Sequence, residues 1–144
     1  MLGQFPPRGH SVKGVVLDTH ALVWYLNIPE KLSLKASATI DKTLNSGGFL
    51  YLSVISMVEL VYLTEKGKIS DRAMNSLRIA LQNPVTGVRA IPVTIEVSEC
   101  LHGIPRIDVP DMPDRIIAAT AIYLNLPLVT RDAKIRSSKV KTVW

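Results

Sequence analysis

The sequence contains little cysteine and no hydrophobic run long enough to cross a membrane. Cys100 is its one cysteine, which excludes an internal disulfide and a cysteine-rich zinc site and indicates a reducing compartment. The longest apolar stretch, residues 49–63, is shorter than the roughly 20 residues of a membrane helix and contains Glu59. Residues 1–13 lack the apolar core of a signal peptide, so we expect a cytoplasmic protein with no membrane partner.

The composition is that of one globular domain. Of the 144 residues, 47% are hydrophobic and 20% are charged, which excludes a disordered or fibrous chain. A domain of this length buries roughly two thirds of its unfolded surface, enough for a core without disulfides. The net charge of +5 permits an acidic partner such as nucleic acid, but many ordinary proteins carry as much. The charge alone therefore identifies no partner.

Short apolar runs alternate with segments of helical periodicity. This alternation predicts a parallel sheet covered by helices on both faces. Predicted strands are residues 14–18, 49–52, 88–93 and 126–130, with a short edge strand within 139–144. Predicted helices are residues 20–26 after a Thr19 cap, 34–44, from Ser53 or Ser56 to Gly67, from Ser70 to Pro84, 94–102, and 115–125, with a proline-rich loop over 103–113.

Four acidic residues occupy positions that a parallel sheet brings to one edge. Asp18 ends the first predicted strand, and Asp132 follows the last long one. Glu59 lies in the early turns of the helix after the second strand, and Asp114 lies in the first turn of a late helix. Because ligands of parallel sheets bind at the carboxyl ends of the strands, we expect these side chains to meet at one site.

Carboxylates gathered in this way need compensation. Two unit charges about 4 Å apart repel by roughly 4 kcal/mol at an effective dielectric near 20. Four of them would raise one another's pKa or would require a cation. Oxygen ligands alone favour Mg²⁺ or Mn²⁺ over zinc, so the pattern predicts a divalent metal site.

Each acid also has a structural explanation. Ser56 and Glu59 have the spacing of a capping box, and Asp111 and Asp114 have the same spacing. Asp18 could cap the helix that follows it. Singly, each acid is more often structural than catalytic. Together, at strand ends and helix starts of one predicted edge, the four favour a functional site.

Four blocks of the sequence, in this order, resemble PIN-domain ribonucleases, and the VapC toxins of bacterial type II toxin–antitoxin systems above all. The blocks are Val-Leu-Asp-Thr-His-Ala-Leu at 16–22, Ser-Val-Ile-Ser-Met-Val-Glu-Leu at 53–60, Asp-Met-Pro-Asp-Arg-Ile-Ile-Ala-Ala-Thr-Ala at 111–121, and Leu-Pro-Leu-Val-Thr-Arg-Asp at 126–132. The resemblance implies a PIN-like nuclease domain over residues 14–144. Residues 1–13 then form an N-terminal extension without a counterpart.

The resemblance implies a three-layer α/β/α sandwich that cleaves RNA as a Mg²⁺- or Mn²⁺-dependent endonuclease. It also implies a homodimer and a cognate antitoxin protein that covers the active groove, with apolar positions in residues 34–44 and 73–81 as candidate contacts. The family's site residues fall on Asp18, Glu59, Asp114 and Asp132, with a hydroxyl residue at Thr130. Asp111 is a companion that either caps a helix or supports the metal ligands from behind. Many relatives carry a further acid after the last one, where this chain has Lys134 and Ile135.

This ligand set suggests a division of roles. Asp18 and Asp114 are the main metal ligands, Glu59 is a ligand or water orienter, and Asp132 is an outer or second-metal ligand. Thr130 positions a water or a carboxylate. Arg115 and Arg131 flank two acids, and a basic tail either tracks RNA phosphates or is solvated surface. The tail consists of Lys134, Arg136, Lys139 and Lys141.

Two rival classes are weighed against the nuclease. A non-catalytic PIN-fold module that binds RNA or protein should lack one or more of the acids, and all four are present. A phosphoacceptor signalling domain needs paired acids after the first strand and a lysine after a late one. Here a single Asp18 follows the first strand and Asp132 holds the late position, so this pattern fails.

Overall fold

A five-stranded parallel sheet forms the centre of the molecule. The computed structural model describes residues 13–144, so the proposed N-terminal extension lies outside the described residues except for Lys13. The strands are β1 (Gly14–Leu17), β2 (Phe49–Ser53), β3 (Val88–Ile91), β4 (Leu128–Val129) and β5 (Thr142–Val143). Their order across the sheet is β3-β2-β1-β4-β5, and every neighbouring pair is parallel. The predicted parallel sheet and its short edge strand are confirmed.

Helices cover both faces of this sheet. The α-helices of the described residues are α1 (Thr19–Asn27), α2 (Leu34–Asn45), α3 (Val54–Glu65), α4 (Asp71–Gln82), α5 (Ile95–Glu99), α6 (Met112–Leu124) and α7 (Ala133–Arg136). Side chains alternate along β1: Val15 and Leu17 pack with α1, α2 and α4, whereas Val16 packs with α5 and α6. The chain is therefore a three-layer α/β/α sandwich.

Two expectations about local structure are wrong. Asp18, and not Thr19, caps α1, because its side chain accepts the Ala21 amide at 2.8 Å. The fourth strand is shorter than predicted: Pro127 has no amide proton, and the Leu126 amide is bonded to Ala121 at the end of α6. The four-residue helix α7 was not predicted, since a segment this short has no measurable periodicity.

The apolar positions proposed for antitoxin contact are divided between the surface and the core. Leu34 at the start of α2 is exposed over 91% of its surface and stays a candidate contact. Ala36 and Ile40 of α2 are fully buried, and Ala73 and Leu77 of α4 are nearly so. They pack against the sheet and are not available to a partner. Within residues 13–144, no helix combines the length and the apolar character needed to cross a bilayer.

Candidate active site

The candidate site lies where the order of the strands reverses. From β1 the chain moves through β2 to β3 on one side, and β4 and β5 lie on the other side. Such a switch point opens a crevice beyond the carboxyl ends of the two central strands. Here Asp18 directly follows β1 and Thr130 directly follows β4. A pocket of about 360 Å³ occupies this position, lined by Asp18, Thr19, His20, Trp24, Glu59, Asp111, Asp114, Arg131 and Asp132.

All four predicted acids therefore meet in one pocket, together with Asp111. Asp18 is the most deeply buried of them, with 7% of its surface exposed. One carboxylate oxygen caps α1 and the other accepts the Thr130 hydroxyl at 2.5 Å. Burial raises the pKa of Asp18, although the hydrogen bonds from Thr130 and Ala21 favour its charged form. The carboxylate is thus fixed in direction at the base of the pocket.

Thr130 joins two of the acids. Its buried hydroxyl donates to Asp18, and the same oxygen accepts the backbone amide of Asp132 at 3.0 Å. Asp132 in turn caps α7 by accepting the Ile135 amide at 3.0 Å. A single side chain at the end of β4 therefore orients one carboxylate and the backbone that carries a second.

Glu59 is held by a residue of another helix, and the capping-box interpretation of Ser56 and Glu59 is wrong. Ser53 caps α3, whereas Ser56 is a fully buried residue of the helix. The Thr19 hydroxyl donates to Glu59 Oε1 at 2.6 Å and is hydrogen-bonded to the Ser56 hydroxyl at 2.8 Å. Burial raises the pKa of Glu59, and the Thr19 hydrogen bond opposes this rise. The roles of Thr19 and Ser56 cannot be seen in the sequence, because they depend on contact between two remote helices.

The pKa of Asp114 is strongly raised by the surroundings of this residue in the pocket. Asp111 caps α6 by accepting the Asp114 amide at 3.2 Å, which confirms the predicted cap. No described residue donates a hydrogen bond to the Asp114 carboxylate. Burial, followed by the negative charges of the other pocket acids, raises its pKa to about 7. Those acids are, in order of their effect, Asp111, Asp132, Glu59 and Asp18.

The donor set fits a hard divalent cation in its chemistry. It is made of carboxylate oxygens, and burial together with the neighbouring negative charges disfavours the charged form of Asp114, which a positive ion would favour. In residues 13–144, however, no three Asp, Glu, His or Cys side chains stand in an arrangement that could hold a metal. A cation in this pocket would therefore require carboxylates such as Asp114 to turn toward it.

The basic residues near the site have different surroundings. The Arg115 guanidinium is used within the fold, since it donates to the carbonyls of Ile104 and Leu101 at 2.8 and 3.0 Å. Lys139 and Lys141 line a separate cavity of about 410 Å³ at the other end of β4 from Thr130. Arg131 lines the acidic pocket itself.

Fold and site together define a class: a three-layer α/β/α protein with a carboxylate pocket at the switch point of a parallel sheet. Within this class the family is shown by sequence, because the family model for the PIN domain matches residues 15–140. The chain belongs to the PIN domain family.

Similar proteins come from several bacteria. The chain is 34% identical over 133 residues to ribonuclease VapC22 of Mycobacterium tuberculosis. This match covers 90% of this chain and 98% of that protein. The crystal structure of VapBC2 from Rickettsia felis bound to a promoter DNA fragment matches with a TM-score of 0.66 at 19% identity, over 90% of this chain and 96% of that chain. DNA-bound VapBC from Salmonella typhimurium matches with a TM-score of 0.63 at 16% identity, over 91% and 96%. These two structural matches support the fold.

Proposed function

We propose that the protein is a divalent-metal-dependent endoribonuclease, the toxin of a toxin–antitoxin pair. The observation that carries the proposal is the convergence of Asp18, Glu59, Asp114 and Asp132 on one pocket at the switch point. The likeness to ribonuclease VapC22 over most of both chains supports RNA as the substrate.

In this proposal the acids hold the metal and the hydroxyls hold the acids. Asp18 and Asp114 are the main ligands of Mg²⁺ or Mn²⁺, Glu59 binds the metal or orients the attacking water, and Asp132 acts farther out. When bound, such an ion lowers the pKa of water and neutralises charge on the phosphate. Thr130 fixes the direction of the Asp18 carboxylate, and Thr19 fixes that of Glu59.

The test is cleavage of defined single-stranded RNAs by the purified protein with Mg²⁺, with Mn²⁺ or with EDTA. We expect cleavage with either metal and none with EDTA. Asp114→Asn should abolish cleavage, whereas the matched control Asp108→Asn, at an exposed loop position outside the pocket, should cleave like the wild type. Cleavage that persists in EDTA, or in Asp114→Asn at the wild-type rate, would contradict the proposal.

The partners are proposed on the same basis. VapBC complexes among the structural neighbours support a cognate antitoxin, and the family resemblance suggests a homodimer. Light scattering of the purified protein tests the homodimer. A non-catalytic PIN-fold module is the alternative, and binding of RNA by the wild type without cleavage under any metal would favour it.

A further inference from the structure

Arg131 lines the acidic pocket and has no ion-pair partner among the residues that the structure describes. It is exposed and lines the pocket together with five carboxylates. Within residues 13–144, the one ion pair is His102–Glu99, on another part of the surface, so Arg131 lies within 4.0 Å of none of the pocket acids. Its guanidinium carbon lies instead 4.7 Å from the centroid of the Trp24 ring. The positive charge is thus present at the pocket but is not neutralised there.

Trp24 is a fixed support for this cation. Only 9% of its surface is exposed, and its ring contacts that of Trp144, with 5.9 Å between the centroids. The ammonium of Lys31 lies 5.9 Å from the same ring. An indole face attracts a guanidinium by cation–π interaction and stacking, and the N–H groups at the guanidinium edge stay free for hydrogen bonds. The contact with Trp24 therefore holds the Arg131 guanidinium away from the neighbouring carboxylates, so that it forms no ion pair with them.

RNA is a polyanion, so its binding at the acidic pocket requires a positively charged side chain there. The five pocket carboxylates repel RNA, and a bound cation would act only on the phosphates next to it. A planar guanidinium can bind two phosphate oxygens at once, which gives both charge and direction. Arg115 does not line the pocket, and its Nε and Nη2 groups donate to backbone carbonyls of the fold.

We propose that Arg131, held on the face of Trp24, binds a backbone phosphate of the RNA beside the bond to be cleaved. The strand then leaves the pocket on the side of Trp24 and Lys31. Arg131 is in this sense a substrate-binding residue, and Trp24 is a positioning residue that acts through it. The inference rests on the proposed nuclease function and adds to it one contact between the enzyme and its RNA substrate.

Binding can be measured apart from cleavage. In the Asp114→Asn background, with EDTA present, fluorescence anisotropy gives the Kd of a labelled single-stranded RNA at several salt concentrations. We expect Arg131→Ala to weaken binding by roughly tenfold or more, since charge-assisted contacts are worth that much. The slope of log Kd against log salt should fall by about 0.7, the value of one phosphate contact on a single strand. In the active enzyme the KM should rise more than the kcat falls.

Arg72→Ala is the matched control. It removes the same charge from an exposed position of α4 outside the pocket, and we expect affinity and salt slope like those of the parent. Trp24→Leu should weaken RNA binding as Arg131→Ala does, and the double variant should be no weaker than either single one. Trp24→Phe, which keeps an aromatic face, should restore most of the affinity.

Two outcomes would overturn the inference, and a third would separate it from the proposed nuclease function. If Arg131→Ala, or Arg131→Lys should the alanine variant fail to fold, binds RNA with unchanged affinity and salt slope, Arg131 merely packs on Trp24 and the inference is wrong. If Arg72→Ala loses as much affinity as Arg131→Ala, the effect is one of net charge and the inference is wrong as well. If the wild type never cleaves RNA but loses affinity on Arg131→Ala, the nuclease proposal fails and the phosphate contact stands.

Discussion

At the scale of single residues, hydroxyl groups set the directions of the carboxylates. Asp18 and Glu59 each accept a threonine hydroxyl, from Thr130 and Thr19 respectively, and both threonines are buried. A buried hydroxyl that bonds a carboxylate removes its rotational freedom without adding charge. Asp18 and Glu59 are therefore held in direction by neutral neighbours, which matters where a misplacement of about 1 Å can cost roughly a hundredfold in rate.

Thr130→Val tests this arrangement, because valine keeps the shape of threonine and loses the hydroxyl. The variant removes the donor to Asp18 and the acceptor of the Asp132 amide, so we expect the free energy of unfolding to fall by about 1–3 kcal/mol. RNA cleavage should fall by roughly a hundredfold. Thr130→Ser, which keeps the hydroxyl, is the control and should retain most of both properties. Wild-type cleavage by the valine variant would contradict the role given to Thr130.

Asp114 should make the metal-free protein less stable as the pH rises. Its pKa is raised from 3.8 to about 7 in the folded state, so the unfolded chain releases this proton at lower pH than the folded one. The free energy of unfolding should therefore decrease between about pH 4 and pH 7 and level off above. Denaturant titrations in EDTA should show a shallower decrease for Asp114→Asn.

The same comparison gives the size of the effect. Above pH 7 we expect Asp114→Asn to be more stable than the wild type by about 1–2 kcal/mol, after a discount for solvent screening at this half-buried position. Saturating Mn²⁺ should stabilise the wild type more than the variant. A variant that is equally stable or less stable at pH 8 in EDTA would show that the charged Asp114 side chain does not destabilise the fold through burial and the neighbouring charges.

At the scale of elements, Asp111 at the start of α6 has two effects. It caps the helix, and its negative charge acts on Asp114. Asp111 accepts the Asp114 amide, and its carboxylate is the second cause, after burial, of the raised Asp114 pKa. Asp111→Asn keeps an acceptor, so we expect stability close to that of the wild type. Asp111→Ala loses the cap and should cost about 1 kcal/mol. In both variants an NMR titration should show a lower pKa of Asp114, and an unchanged pKa would contradict this coupling.

Most elements could be predicted from the sequence because their signals are local. Apolar runs marked the strands, and the Asp111 cap and the loop before it marked the start of α6. The predictions that failed concerned features that depend on tertiary contacts. Ser56 had the local pattern of a cap, but Ser53 already caps α3, and Ser56 faces Thr19 of another helix. Local spacing cannot tell which of two serines begins a helix inside an apolar run.

At the scale of the whole molecule, the sheet explains why distant acids meet. Parallel strands point their carboxyl ends to one edge, so the residues that follow β1 and β4 are neighbours at the switch point. The convergence of Asp18, Glu59, Asp114 and Asp132 on one edge could therefore be predicted from the parallel arrangement of the strands. The stacking of Arg131 on Trp24 could not, because it depends on how α1 sits against the turn after β4.

The central claim is that these carboxylates form a binding site for a divalent cation. The most direct measurement is the anomalous difference density of a crystal soaked in Mn²⁺ at neutral pH or above. We expect one strong peak inside the pocket, with the Asp114 carboxylate turned toward it, and no such peak in a crystal of Asp114→Asn. A pocket without density at saturating Mn²⁺, or a peak elsewhere on the protein alone, would contradict the claim.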